Sequence, residues 1–151
     1  MLNADQLTNL RTRSEAVASS VHRAWMHYQV LRGLQSAASR DQESLLTHPH
    51  AFDAIYRAVF DALYVTIGQV TDTSKHSESL RNLVKMARGY PVQRTVIRQL
   101  EQILLTTQPR DGSPLHRLHR WRNQHTAHRT LAASTSQFYE ENQLRLGEIE
   151  E

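Results

Sequence analysis

The stretch PHAFDAIYRAVFDALYVTIGQVT, residues 49–71, decides the fold of this chain. Phe52, Ile55, Tyr56, Val59, Phe60, Leu63 and Ile67 recur at three- and four-residue steps, the spacing that lines one broad face of an α-helix. Pro49 stands at the expected first helical position, where a missing N–H costs nothing because that group has no intrahelical partner. The segment is the most hydrophobic of the chain, so it is expected to be the central helix. Tyr56 and Tyr64 are expected in the core, with their hydroxyls reaching a polar partner.

On the N-terminal side, Asn3 followed by Gln6 reads as a capping box that opens a long first helix. Leu7, Leu10, Ser14, Val17, Val21, Ala24, Tyr28 and Leu31 follow a 3–4 spacing, and Trp25 and Leu34 widen the stripe. The helix is expected to reach about Ala38, which is long for an ordinary domain. It either projects an N-terminal arm, packs against a second copy of the chain, or lies along its own bundle. Residues 39–47 read as a connection, with His48 and His50 in a solvated turn around Pro49.

On the C-terminal side, TDTSKHSES (residues 71–79) is a polar break, with Asp72 as a helix-end or turn residue. A third helix carries Leu80, Leu83, Val84 and Ala87 and is expected to end at Gly89. Pro91 is expected to open a fourth helix with Val92, Val96, Leu100, Ile103 and Leu104 on its apolar face. TTQPRDGSP (residues 106–114) is a turn by composition. Ser113 and Pro114 then read as the cap and first position of a fifth helix, which is expected to run to about Ala133. Leu115, Leu118, Trp121 and Leu131 supply its apolar contacts, and Trp121 is expected to be core or dimer contact. The remainder, residues 134–151, reads as an acidic helical tail. No strand alternation competes with these signals, so the chain is expected to be all-α, with a bundle domain over residues 1–133.

Composition narrows the function. The 151 residues suffice for one compact domain. The absence of cysteine excludes disulfides and thiolate metal sites and suits a reducing cytoplasm. No uncharged run is long enough to span a bilayer, and the start, MLNADQLTNLRTR, has no apolar core of the kind a secretory signal needs. Of the 18 basic residues all but Lys75 and Lys85 are arginine, whose planar fork of donors suits phosphate, although genomic base composition enriches arginine too. Between Asp111 and Glu140 there is no carboxylate, while Arg117, Arg120, Arg122, Arg129, His116, His119, His125 and His128 all fall there.

The densest part of that window is RWRNQHTAHRT, residues 120–130. RNA carries its own nucleophile, the 2′-hydroxyl. Cleavage needs a base to take that proton and cationic donors to hold charge growing on the phosphate. Histidine and arginine supply those two functions without a metal. Arg122 and His125 nearly share a helix face, but Arg122 and His128 point about 120° apart on a regular helix. A helix end, a kink or two facing chains would bring them to one phosphate. The histidines at three-residue spacing could chelate zinc only with ligands from elsewhere, so no metal and no cofactor are expected.

Arg122-Asn123-Gln124-His125-Thr126-Ala127-His128 resembles the RN-x-x-x-AH form of the motif of the HEPN superfamily. Other features resemble the U-type abortive-infection (Abi) branch: Trp25, Tyr28 and Leu31 on the first helix, Phe52 opening the second, Asp72 ending it, and Ser79-Leu80 beginning the third. The likeness spans most of residues 15–133. It implies a HEPN-like bundle of four to six helices, commonly a homodimer, whose active members are metal-independent endoribonucleases of phage-defence or toxin–antitoxin systems. By that resemblance Arg122 would polarise the scissile phosphate, Asn123 would position it, and His128 would act as general base or acid. Arg120, His125 and Arg129 are candidate RNA phosphate contacts. Two motif helices facing each other in a dimer would resolve the 120° divergence.

Thr130 stands where some toxins of this superfamily carry a tyrosine that accepts AMP, so that mode of control is not implied. Arg120 with His125 satisfies the loose motif spacing as a second register, but Asn123 and Ala127 match only the register of Arg122 with His128. A neutralising antitoxin protein is a further expected partner, and no membrane association is expected. The alternative is a non-catalytic helical module that uses the same basic segment for RNA binding or dimerisation. The acidic tail is either a solvated end or a cover for the basic site in the absence of RNA.

Overall fold

The computed structural model describes residues 2–41, 47–106, 110 and 113–121. Five helices are described: α1 (Ala4–Arg40), α2 (Pro49–Val70), α3 (Leu80–Arg88), α4 (Arg94–Thr106) and α5 (Pro114–Trp121). Among the described residues there is no strand, and the fold is all-α, as a HEPN-like bundle requires.

Helix α2 is central, as its hydrophobicity predicts. One side packs on α1, where Tyr28, Leu31 and Leu63 form a buried cluster. The other side packs on α5, where Tyr64, Leu118 and Trp121 form a second. Phe60 and Ile67 touch both clusters and join them into one core. Residues 24–31 of α1 meet residues 56–67 of α2, so these consecutive helices lie antiparallel, as a short connection favours. Tyr64 is fully buried, while Ile55 is left half exposed.

Helix α1 begins as its sequence predicts. Asn3 Oδ1 accepts the Gln6 N–H at 2.8 Å, and Gln6 Oε1 accepts the Asn3 N–H at 3.2 Å. These bonds satisfy two of the four amide donors that a helix start leaves without partners. The helix ends at Arg40, two residues beyond the expected point. The 3–4 stripe does not stay buried along its length. Val17, Ser20, Tyr28 and Leu31 are the buried residues, and none precedes Val17. Leu7, Val21 and Trp25 are all more than half exposed. The reason is length: at 1.5 Å per residue α1 reaches roughly 55 Å and α2 roughly 33 Å, so the shorter helix cannot cover the longer one.

Helix α3 buries the four residues expected of it, Leu80, Leu83, Val84 and Ala87. Gly89 follows its last residue, but with φ −78° it sits in the ordinary right-handed region. The helix therefore ends without a left-handed cap: the Gly89 N–H bonds Met86 O at 3.0 Å in a tightened last turn, and Pro91 follows. Pro91 does not open α4. The Val92 N–H turns back to Tyr90 O at 2.7 Å, and the helical pattern starts where Val96 and Ile97 donate to Gln93 O. Helix α4 consequently begins at Arg94 and leaves Val92 outside it. It packs beside α3 through Arg88 Nε and Glu101 Oε1, 2.7 Å apart, and buries none of its own residues completely.

The polar break between α2 and α3 is an organised turn. Asp72 Oδ1 accepts the Ser74 N–H at 2.9 Å, the helix-end role expected of that residue. Asn82 Nδ2 donates back to Ser74 O at 2.8 Å and Ser77 O at 2.7 Å. His48 and His50 are exposed beside Pro49, as expected.

Candidate functional site

Helix α5 carries the chain into the basic motif. Its start follows from local chemistry. Ser113 Oγ accepts the His116 N–H at 3.2 Å and the Arg110 N–H at 3.0 Å, and Pro114 occupies the first helical position. Leu118 and Trp121, three residues apart and so on one face, are both buried against Tyr64. The Trp121 and Tyr64 rings lie 5.8 Å apart at 55°, a tilted arrangement favoured by aromatic quadrupoles. Trp121 is thus a core residue, as expected, and not a platform open to bases.

A polar contact joins the apolar one. His119 Nε2 lies 2.7 Å from Thr71 Oγ1 at the end of α2, and the same hydroxyl lies 2.9 Å from Ile67 O. His116 and Arg117 are partly buried, and Arg120 projects into solvent from the last described turn. These four side chains put positive and titratable groups on α5 with no carboxylate among its residues.

Arg120 is therefore the one candidate phosphate contact whose place is described. Arg122, Asn123, His125, His128 and Arg129 lie outside the described residues, as do the remainder of the expected fifth helix and the acidic tail. Among the described residues no group of three or more histidines and carboxylates is arranged to hold a metal ion. No helix there is long and apolar enough to cross a membrane. Reading the sequence missed Thr71 as a partner for α5. Its local context signals only a helix end, and its contact comes from 48 residues away.

The model of the AbiU2 family of HEPN proteins matches residues 4–151. The chain belongs to the AbiU2 family. This agrees with the resemblance carried by Trp25, Tyr28, Asp72, Ser79 and the Arg-Asn…Ala-His segment, and with the all-α architecture. In this AbiU2 chain the residues of that likeness serve distinct structural ends. Tyr28 is core, Asp72 closes a turn, and Ser79 is buried at the start of α3. No curated protein and no solved structure matches the chain.

Proposed function

We propose that this AbiU2-family chain is a metal-independent endoribonuclease of a phage-defence or toxin–antitoxin type system, working in the cytoplasm as a homodimer. The observation that carries the reading is the seating of α5. A helix end held by Leu118, Trp121 and His119 delivers the chain directly into Arg122-Asn123, one residue past an anchored ring. A catalytic arginine needs such a rigid mount, because electrostatic stabilisation of a transition state depends on preorganised donors.

In this reading Arg122 holds the non-bridging oxygens of the scissile phosphate and Asn123 orients it. His128 takes the proton from the 2′-hydroxyl, whose oxygen attacks phosphorus. The 5′-oxygen leaves, protonated by a second acid, and a 2′,3′-cyclic phosphate remains. Arg120, His125 and Arg129 contact neighbouring phosphates. Two copies of the motif supply acid and base together, which accommodates the divergence of Arg122 and His128 on a straight helix. A neutralising antitoxin protein is the partner such an activity calls for.

The test is cleavage of RNA in the presence of a chelator by wild type, Arg122→Ala and His128→Ala. Cleavage by wild type and by neither variant is the expected result. Salt-sensitive binding with no cleavage by any of the three would assign the chain instead to the non-catalytic RNA-binding members of its superfamily.

A further inference from the structure

We infer that His119 is a positioning residue for the motif, acting through a bond to Thr71 that fixes the rotation of α5 about its own axis. The functional part of this inference rests on the ribonuclease reading above.

The argument starts from where the contacts fall around α5. Leu118 and Trp121 are separated by three residues, hence by about 60° on the helix surface, and both meet the Tyr64 cluster. An apolar stripe that narrow resists separation, but it has no directional contact to resist rolling, since apolar burial is non-directional. His119 lies about 100° from Leu118 on the opposite flank from Trp121. Its Nε2 meets Thr71 Oγ1, two helical turns along α2 from Tyr64. The two flanks of α5 are therefore held at different heights of α2, one by a ring and one by a hydrogen bond. Rolling α5 in either direction stretches one of the two.

The direction of the bond follows from Thr71. Its single hydroxyl proton points back to Ile67 O, 2.9 Å away and four residues earlier. The threonine oxygen then accepts, and His119 Nε2–H donates. This assigns the Nε2–H tautomer and makes Nδ1 the nitrogen that takes a second proton. His119 thus spends one ring nitrogen on structure while the motif begins three residues later. Reactive groups carried beyond Trp121 inherit any error in the roll of α5, and misplacement by about 1 Å costs on the order of a hundredfold in rate.

The experiment compares Thr71→Val and His119→Phe, which remove the bond at constant bulk, with Thr71→Ser and His119→Gln, which keep an acceptor and a donor. The first pair is expected to lower the single-turnover cleavage rate about 10- to 100-fold with little change in RNA affinity. The second pair is expected to recover most of it. Two measurements need no substrate. Ring nitrogen spectra of the wild type are expected to show His119 protonated at Nε2 in its neutral form. Amide exchange at residues 118–121 is expected to quicken about three- to tenfold in Thr71→Val, with the α1 amides unchanged.

Equal cleavage by all four variants overturns the positioning role. An Nε2 without its proton, or unchanged exchange in Thr71→Val, overturns the lock itself. A wild type that does not cleave overturns the ribonuclease reading, while the lock is still decided by the spectra and the exchange rates.

Discussion

Tyr64 and Trp121, on α2 and α5, place their rings 5.8 Å apart, and both side chains are buried. This contact links the core of the bundle to the helix that leads into Arg122. It also makes the motif's mount part of the cooperative fold and not an appendage to it.

Trp121→Ala is therefore expected to destabilise the whole domain. Deleting a large buried aromatic costs about 3–5 kcal/mol, combining lost transfer energy and a residual cavity. Trp121→Phe should cost less, because it keeps a ring against Tyr64. Urea unfolding checks both. A fall in midpoint of less than a third of the predicted size for the alanine variant would mean that α5 is not part of the cooperative unit.

The cap of α1 predicts the opposite kind of effect. Asn3→Ala should weaken the first turn by about 1 kcal/mol, the usual worth of an N-cap. No residue before Val17 is buried, so this loss should stay local. Amide exchange is expected to quicken over residues 4–8 while the thermal midpoint of the domain hardly moves. A clear drop in that midpoint would show that the N-terminal turns carry core contacts.

Asn82 offers a test by sign. Its Nδ2 group donates to two carbonyl oxygens, Ser74 O and Ser77 O. Asn82→Ala leaves those acceptors to water, a cost of about 1–3 kcal/mol. Asn82→Asp aims a carboxylate at them and should be worse than alanine despite the similar shape. Thermal melts of both variants decide it, and an aspartate variant as stable as the alanine one would mean that the bonds do not organise the turn.

Gly33 lies inside α1, and a Cβ built there meets nothing within 4 Å. Gly33→Ala should stabilise the helix by about 0.5–1 kcal/mol, since glycine gives up more backbone freedom than alanine on folding. A neutral or destabilising result in a denaturant titration at low protein concentration would contradict the exposed placement.

Most of the fold was legible because its signals are local. The Asn3–Gln6 box, Pro49 and the Ser113–Pro114 start each depend on residues within one turn of each other. The α3 face from Leu80 to Ala87 follows from periodicity alone. What failed is what depends on neighbours in space. The stripe on α1 has the same pattern at Val21, which is exposed, and at Tyr28, which is buried, because only the second lies opposite α2. Pro91 carried a helix-start signal, but the chain first makes a turn at Tyr90–Val92.

The site divides in the same way. Arg122, Asn123 and His128 are conspicuous as a pattern in an acid-free window, and Trp121 was readable as an apolar contact. The Thr71–His119 bond was not readable, since two polar residues far apart leave no periodic trace.

The two tryptophans of the chain occupy opposite surroundings. Trp25 is 57% exposed on α1, and Trp121 is 6% exposed under α5. Their fluorescence should therefore separate into a red-shifted component that acrylamide quenches and a blue-shifted one that it does not. The rings of Phe52, Tyr56, Phe60, Tyr64 and Trp121 also follow one another at spacings of 6.2, 5.9, 4.5 and 5.8 Å, so tyrosine excitation can pass to the buried indole. The protein carries its own pair of optical probes, one for whatever covers the outer face of α1 and one for the departure of α5 from its seat.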